Sequence, residues 1–148
     1  MAQAVLNILL ADDDEDDRTF FTEAFKEIKI KTHVETVNDG VELMEYLKMH
    51  ESNLPHILFL DLNMPKKNGF ECLREIRSSE KLKNLSVAIY STSSSERDIE
   101  ETLVQGANVY IKKPYDFPSL KKVLNNVIKI KWQYQINGLN KDNFILSI

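Results

Sequence analysis

A single cysteine, Cys72, occurs in the 148 residues. An internal disulfide is excluded, and so is a zinc site made of cysteines. A lone cysteine ordinarily packs as a small hydrophobe, so Cys72 is read as core and not as a reactive thiol. The three histidines, His33, His50 and His56, are scattered and share no ligand spacing, so they read as packing or surface residues. No apolar run approaches the length that spans a bilayer. No cationic segment precedes the apolar residues near the N-terminus, which argues against a secretory signal and makes the cytoplasm the expected compartment. Positive charge is not in excess: 19 Lys and Arg face 23 Asp and Glu, for a net charge of -4. That argues against the basic face that nonspecific nucleic-acid binding uses, and neither nucleic acid nor membrane is an expected partner. There is no long linker, low-complexity block or internal repeat. The apolar fraction of 43% and the chain length suit one domain with a real core.

What the chain does have is alternation. Residues 5–11 are an apolar run broken only by Asn7. Phe20, Phe21, Ala24, Phe25 and Ile28 follow at helical spacing. Residues 32–37 alternate as a strand and stop at the turn signal Asn38-Asp39-Gly40. The pattern then repeats. Val41, Leu43, Met44 and Leu47 mark a second helix, and residues 57–60 a third strand. Phe70, Leu73 and Ile76 mark a third helix, and residues 87–90 a fourth strand. Ile99 and Leu103 belong to a fourth helix closed by Gly106, before a fifth strand at residues 109–111. Phe117, Leu120, Leu124, Val127 and Ile128 mark the fifth helix. Continuous apolar strands between helices predict a parallel sheet covered on both faces, with right-handed crossovers. The second strand is the most polar and is placed at an edge.

Each central strand stops on a chemically useful residue. The first ends at Asp12-Asp13, the third at Asp61, the fourth at Ser91 and the fifth at Lys112-Lys113-Pro114. In a parallel sheet these emerge at one edge, where open α/β folds place ligands. Several readings compete for the run Asp12-Asp13-Asp14-Glu15-Asp16-Asp17. An acidic helix start accounts for residues 14–17, because the helix dipole is positive there. It does not account for Asp12 and Asp13 abutting a buried strand. A calcium loop has Asp12, Asp14, Asp16 and Glu23 at suitable spacing, but Asp17 stands where glycine makes the sharp turn and a strand precedes it. A haloacid-dehalogenase-type phosphatase would use two aspartates two residues apart, but Asp16 replaces its usual Thr or Val. The reading that uses all the strand ends is a magnesium site. Asp13 and Asp61 would ligate directly, with Asp12 holding a water, since magnesium takes hard oxygen ligands and keeps several waters.

Taken together, Asp12-Asp13, Leu60-Asp61-Leu62-Asn63-Met64-Pro65, Gly69, Ser91, Gly106-Ala107 and Lys113-Pro114 resemble the receiver domain of two-component response regulators. The resemblance implies a flavodoxin-like (βα)5 three-layer sandwich with five parallel strands in the order 2-1-3-4-5. It implies that Asp61 accepts a phosphoryl group from a sensor histidine kinase or phosphotransfer protein. Mg²⁺ would be held by Asp12, Asp13, Asp61 and the carbonyl of Asn63. Ser91 would bond one phosphoryl oxygen and Lys113 neutralise another. Tyr110 would follow the movement of Ser91, and Lys113-Pro114 would be cis. Thr92 follows the hydroxyl where the family usually has a smaller residue, and it is the alternative to Ser91.

The expected organisation is a receiver domain over residues 1–133, with residues 134–148 packing on it or on a partner. With no further domain, it would be a phosphoacceptor switch that assists its own phosphorylation and dephosphorylation, not an enzyme acting on a separate substrate. Output would pass through a downstream protein, a relay, or a homodimer using the fourth helix, fifth strand and fifth helix. The acidic N-terminal run and long C-terminus resemble single-domain regulators paired with phytochrome-type kinases. The competing reading is a receiver-like binding module that is not phosphorylated. Met64-Pro65 reads equally as a docking point or a rigid turn. Trp132 and Tyr134 read as packing at the end of the last helix.

Overall fold

Period-two alternation within the strands decides how the two faces of the sheet are filled. The computed structural model describes residues 5–133 and 145–146. In β1 (Leu6–Ala11), Leu6, Ile8 and Leu10 face one core while Leu9 and Ala11 face another. β3 (Ile57–Leu60) divides the same way, Ile57 and Phe59 against Leu58 and Leu60. So does β4 (Val87–Ser91), with Ala88 and Tyr90 against Val87 and Ile89. A strand buried on both faces must be apolar at every position, which is why these segments read as unbroken runs.

Helices α1 (Glu15–Lys26) and α5 (Phe117–Gln133) cover the first face. Phe21, Phe25, Leu120 and Leu124 close it, and Phe21, Phe59 and Tyr90 meet edge to face. Helices α2 (Gly40–Met49), α3 (Gly69–Ser78) and α4 (Glu96–Val104) cover the second through Leu43, Leu47, Leu73, Ile76 and Ile99. Each fully buried side chain of this kind contributes about 1.5–3 kcal/mol. Helix starts are capped locally: Asp39, Asn68 and Ser95 each accept a backbone N–H from the first turn of their helix. Gly106, at φ +98°, ends α4 in the left-handed region that glycine tolerates.

With β2 (Thr32–Val37) at one edge and β5 (Val109–Lys112) beyond β4, all strands run parallel in the expected order 2-1-3-4-5. One strand was not expected. β6 (Ile145–Leu146) pairs parallel with β5, Ile145 opposite Tyr110 and Leu146 opposite Ile111. A second correction concerns Lys113–Pro114. No peptide bond among the described residues is cis, so this bond is trans, the form favoured by about 0.5–1 kcal/mol before proline. Cys72 is fully buried with its thiol toward the Gly40 carbonyl, and burial pushes its pKa up to about 12, so it is core and not a nucleophile. His56 accepts the Asn7 N–H, His33 pairs with Glu35, and His50 stacks on Tyr46. Tyr134 and the rest of residues 134–144 lie outside the described residues, as does the side chain of Trp132.

Candidate functional site

The sheet ladders continue past the strand ends and carry the polar residues to one edge. The Asp12 N–H donates to the Val37 carbonyl, the Asp61 N–H to the Ala11 carbonyl, and the Lys113 N–H to the Ser91 carbonyl. Registers Ala11–Leu60, Leu60–Ile89 and Ser91–Lys112 bring these termini level. Asp12 is then fixed from both sides. Its Oδ1 accepts the Asp14 N–H, and its carbonyl accepts from the Arg18 guanidinium. Asp14 in turn caps α1.

Gly69 sets the depth of the hollow. A Cβ there would stand 2.3 Å from the Asp61 carbonyl oxygen, so only glycine lets α3 start this close to the end of β3. Its N–H donates to the Leu62 carbonyl, closing the loop that follows Asp61. Within that loop the Asn63 N–H faces Asp61 Oδ1 at 3.4 Å, the long limit of a hydrogen bond.

Carboxylate oxygens of Asp12, Asp13 and Asp61 all lie within 4.8 Å of one another. Asp12 and Asp61 are buried and Asp13 is exposed. Burial raises the Asp12 pKa against the opposing pull of Lys113 and the Asp14 N–H. Burial likewise pushes Asp61 up to about 6, opposed by Lys113 and assisted by the charge of Asp12. Lys113 Nζ stands 2.8 Å from Asp12, 2.8 Å from Asp17 and 3.7 Å from Asp61. Burial works to lower its pKa, but the three carboxylates outweigh that and raise it, so the ammonium stays charged.

The switch candidates divide by burial. Ser91 is the last residue of β4 and wholly buried, its Oγ accepting the Ser93 N–H, whereas Thr92 is exposed. Tyr110 is buried and its hydroxyl donates to the Ser93 carbonyl at 2.8 Å. The structure thus brings Asp12, Asp13, Asp61 and Lys113 together, with Ser91 buried at the end of the neighbouring strand and Thr92 turned to solvent.

Two contributors were not foreseen. Asp17, read as part of an acidic helix start, contacts Lys113. Tyr90 carries the Lys113 ammonium over its ring, 5.2 Å from the centroid. The only sequence signals were their places, one in the first turn after Asp12-Asp13 and one just before Ser91.

A family model described as response regulator receiver domain matches residues 8–125. The chain belongs to that family. Among curated relatives, the probable methanogenesis regulatory protein FilR2 of Methanothrix harundinacea (strain 6Ac) is 32% identical over 123 residues, covering 81% of this chain and 79% of the relative. The phosphorylated cyanobacterial phytochrome response regulator RcpA superposes with a TM-score of 0.78 at 33% identity, covering 90% of this chain and 98% of that one. The Mn²⁺-bound form of response regulator Rcp1 superposes at 0.75 with 29% identity, covering 91% and 99%. The protein is therefore a phosphoacceptor receiver of the flavodoxin-like fold, and its cluster of Asp12, Asp13 and Asp61 can hold a divalent metal ion. The donor set fits such an ion: hard carboxylate oxygens are crowded together, with two of them raised in pKa by burial, a strain that a divalent cation relieves. Among the described residues no helix is long and apolar enough to cross a membrane.

Proposed function

We propose that Asp61 is the phosphoacceptor. The observation that carries this is the convergence of Asp61, Asp12, Asp13 and Lys113 in one hollow. At pH 7.5 an Asp61 pKa of about 6 leaves the carboxylate ionised. One of its oxygens attacks the phosphorus of a phosphohistidine. The new P–O bond forms as the P–N bond breaks, and the leaving imidazole takes up a proton from solvent. Asp12, Asp13, Asp61 and the Asn63 carbonyl would hold Mg²⁺, which neutralises phosphoryl oxygens when bound. Lys113 neutralises another as charge develops. Ser91 donates its hydroxyl, and Tyr110 follows it. Burial of Ser91 and exposure of Thr92 favour Ser91 for this role.

The donor is a histidine kinase or phosphotransfer protein, and output passes to a protein partner. A self-interaction through the α4, β5 and α5 side is supported by exposed Val104 and Tyr115. The C-terminal segment is taken to pack on the domain, supported by the pairing of Ile145–Leu146 with β5. Sedimentation of the full chain against residues 1–133 tests both; identical profiles in the presence and absence of a phosphoryl mimic would count against them. The central test is incubation with acetyl phosphate and Mg²⁺. A mass gain of one phosphoryl group, lost in Asp61→Asn, is expected. No gain would leave a binding module with this fold.

A further inference from the structure

The Lys113 ammonium is shared unevenly. Its near partners are Asp12 and Asp17, each at 2.8 Å, while Asp61 stands off at 3.7 Å. The two near partners differ. Asp12 is fully buried and belongs to the acids that can share one cation; Asp17 is outside that group, and its side chain is 35% exposed. Breaking a buried pair leaves a charge without solvation, whereas a part-exposed carboxylate exchanges its ammonium for water at little cost. Asp17 also lies in the first turn of α1, where the helix dipole favours negative charge after the lysine leaves. The Lys113–Asp17 contact is therefore the one that can open.

Resting on the reading that Asp61 accepts the phosphoryl group, we propose that Asp17 is a positioning residue. It holds Lys113 back from Asp61 in the unphosphorylated protein and yields it when the phosphoryl group forms. Phosphorylation places about two negative charges where Asp61 had one, enough to draw the ammonium across. Each phosphorylation then works against the Asp17 contact, so Asp17 lowers the affinity of the site for a phosphoryl group. Asp16, one residue earlier and exposed, supplies the same charge without touching Lys113 and serves as the control.

The test titrates beryllofluoride, a phosphoryl mimic, with Mg²⁺ into the full chain and follows binding by NMR. Asp17→Asn is expected to tighten binding about two- to fivefold, the range of a part-exposed ion pair, and Asp16→Asn to change it much less. In a Lys113→Met background the two substitutions are expected to become equivalent. A second readout needs no metal: the Lys113 ammonium signal of the metal-free protein should exchange faster with water in Asp17→Asn than in Asp16→Asn. Equal effects of the two substitutions in wild-type background, on both readouts, overturn the role of Asp17. Failure of the wild type to bind beryllofluoride or to gain mass from acetyl phosphate instead overturns the reading of Asp61, and the role of Asp17 falls with it.

Discussion

Replacing Asp61 by Asn should stabilise the metal-free protein. The Asp61 carboxyl is buried beside Asp12, and its pKa in the folded chain rises from 3.8 to about 6. The folded state therefore binds the proton more tightly than the unfolded state. Between those two values the native chain holds more protons, so stability falls as pH rises through that window. Above it, the full penalty of about 2 pKa units applies, which is about 3 kcal/mol at pH 7.5. Asn keeps the shape and still offers the Asn63 N–H an acceptor, but carries no charge to desolvate. Urea unfolding in EDTA at pH 7.5 should show the variant more stable by about 2–3 kcal/mol, with the melting temperature higher by about 10 °C. Near pH 4 the wild-type carboxyl is protonated when folded, and the advantage should shrink below about 1 kcal/mol. Mg²⁺ should narrow the gap by stabilising the wild type selectively, by about 1.4 kcal/mol at ten times its dissociation constant and about 2.7 kcal/mol at about a hundred times. An Asn variant no more stable at pH 7.5, or an advantage unchanged at pH 4, would refute the view that the hollow is strained by buried charge.

Two further substitutions probe the same hollow. Lys113→Ala leaves Asp12, Asp17 and Asp61 without their shared cation and should destabilise the metal-free protein by about 3 kcal/mol at pH 7.5 in urea unfolding, with most of the loss recovered in Mg²⁺. It should still gain a phosphoryl group slowly but show little of the wild-type change in its NMR spectrum. Gly69→Ala puts a methyl 2.3 Å from the Asp61 carbonyl oxygen, so β3 and α3 must separate. A loss of more than about 2 kcal/mol is expected by urea unfolding, together with weaker Mg²⁺ binding by calorimetry; retention of both would show that the loop is free to shift.

The parts of this molecule that the sequence made legible are those where one force acts on many residues at once. Leu58, Phe59 and Leu60 must all be apolar because both sheet faces are buried, so the run and its abrupt stop at Asp61 are visible in one dimension. Four such stops, at Asp12, Asp61, Ser91 and Lys113, locate an edge without any knowledge of distances. Residues chosen by a single contact leave no such trace. Glu15, Asp16 and Asp17 are equivalent as helix-dipole partners in the first turn, and only the rotation of α1 selects Asp17 to meet Lys113. Tyr90 looks like any other member of its strand until the lysine is seen above its ring. β6 is two residues long, below the span over which any hydrophobic period can be recognised. The expected cis bond failed for a related reason: tertiary context selects the isomer before proline, and no local residue type does so. The catalytic edge of a parallel α/β domain is thus announced by its strands, while the contacts that tune its charge balance belong to the helices packed over it. The strand ends accordingly decide whether the phosphoryl group is accepted at all, and the first turn of α1 adjusts its affinity by about two- to fivefold.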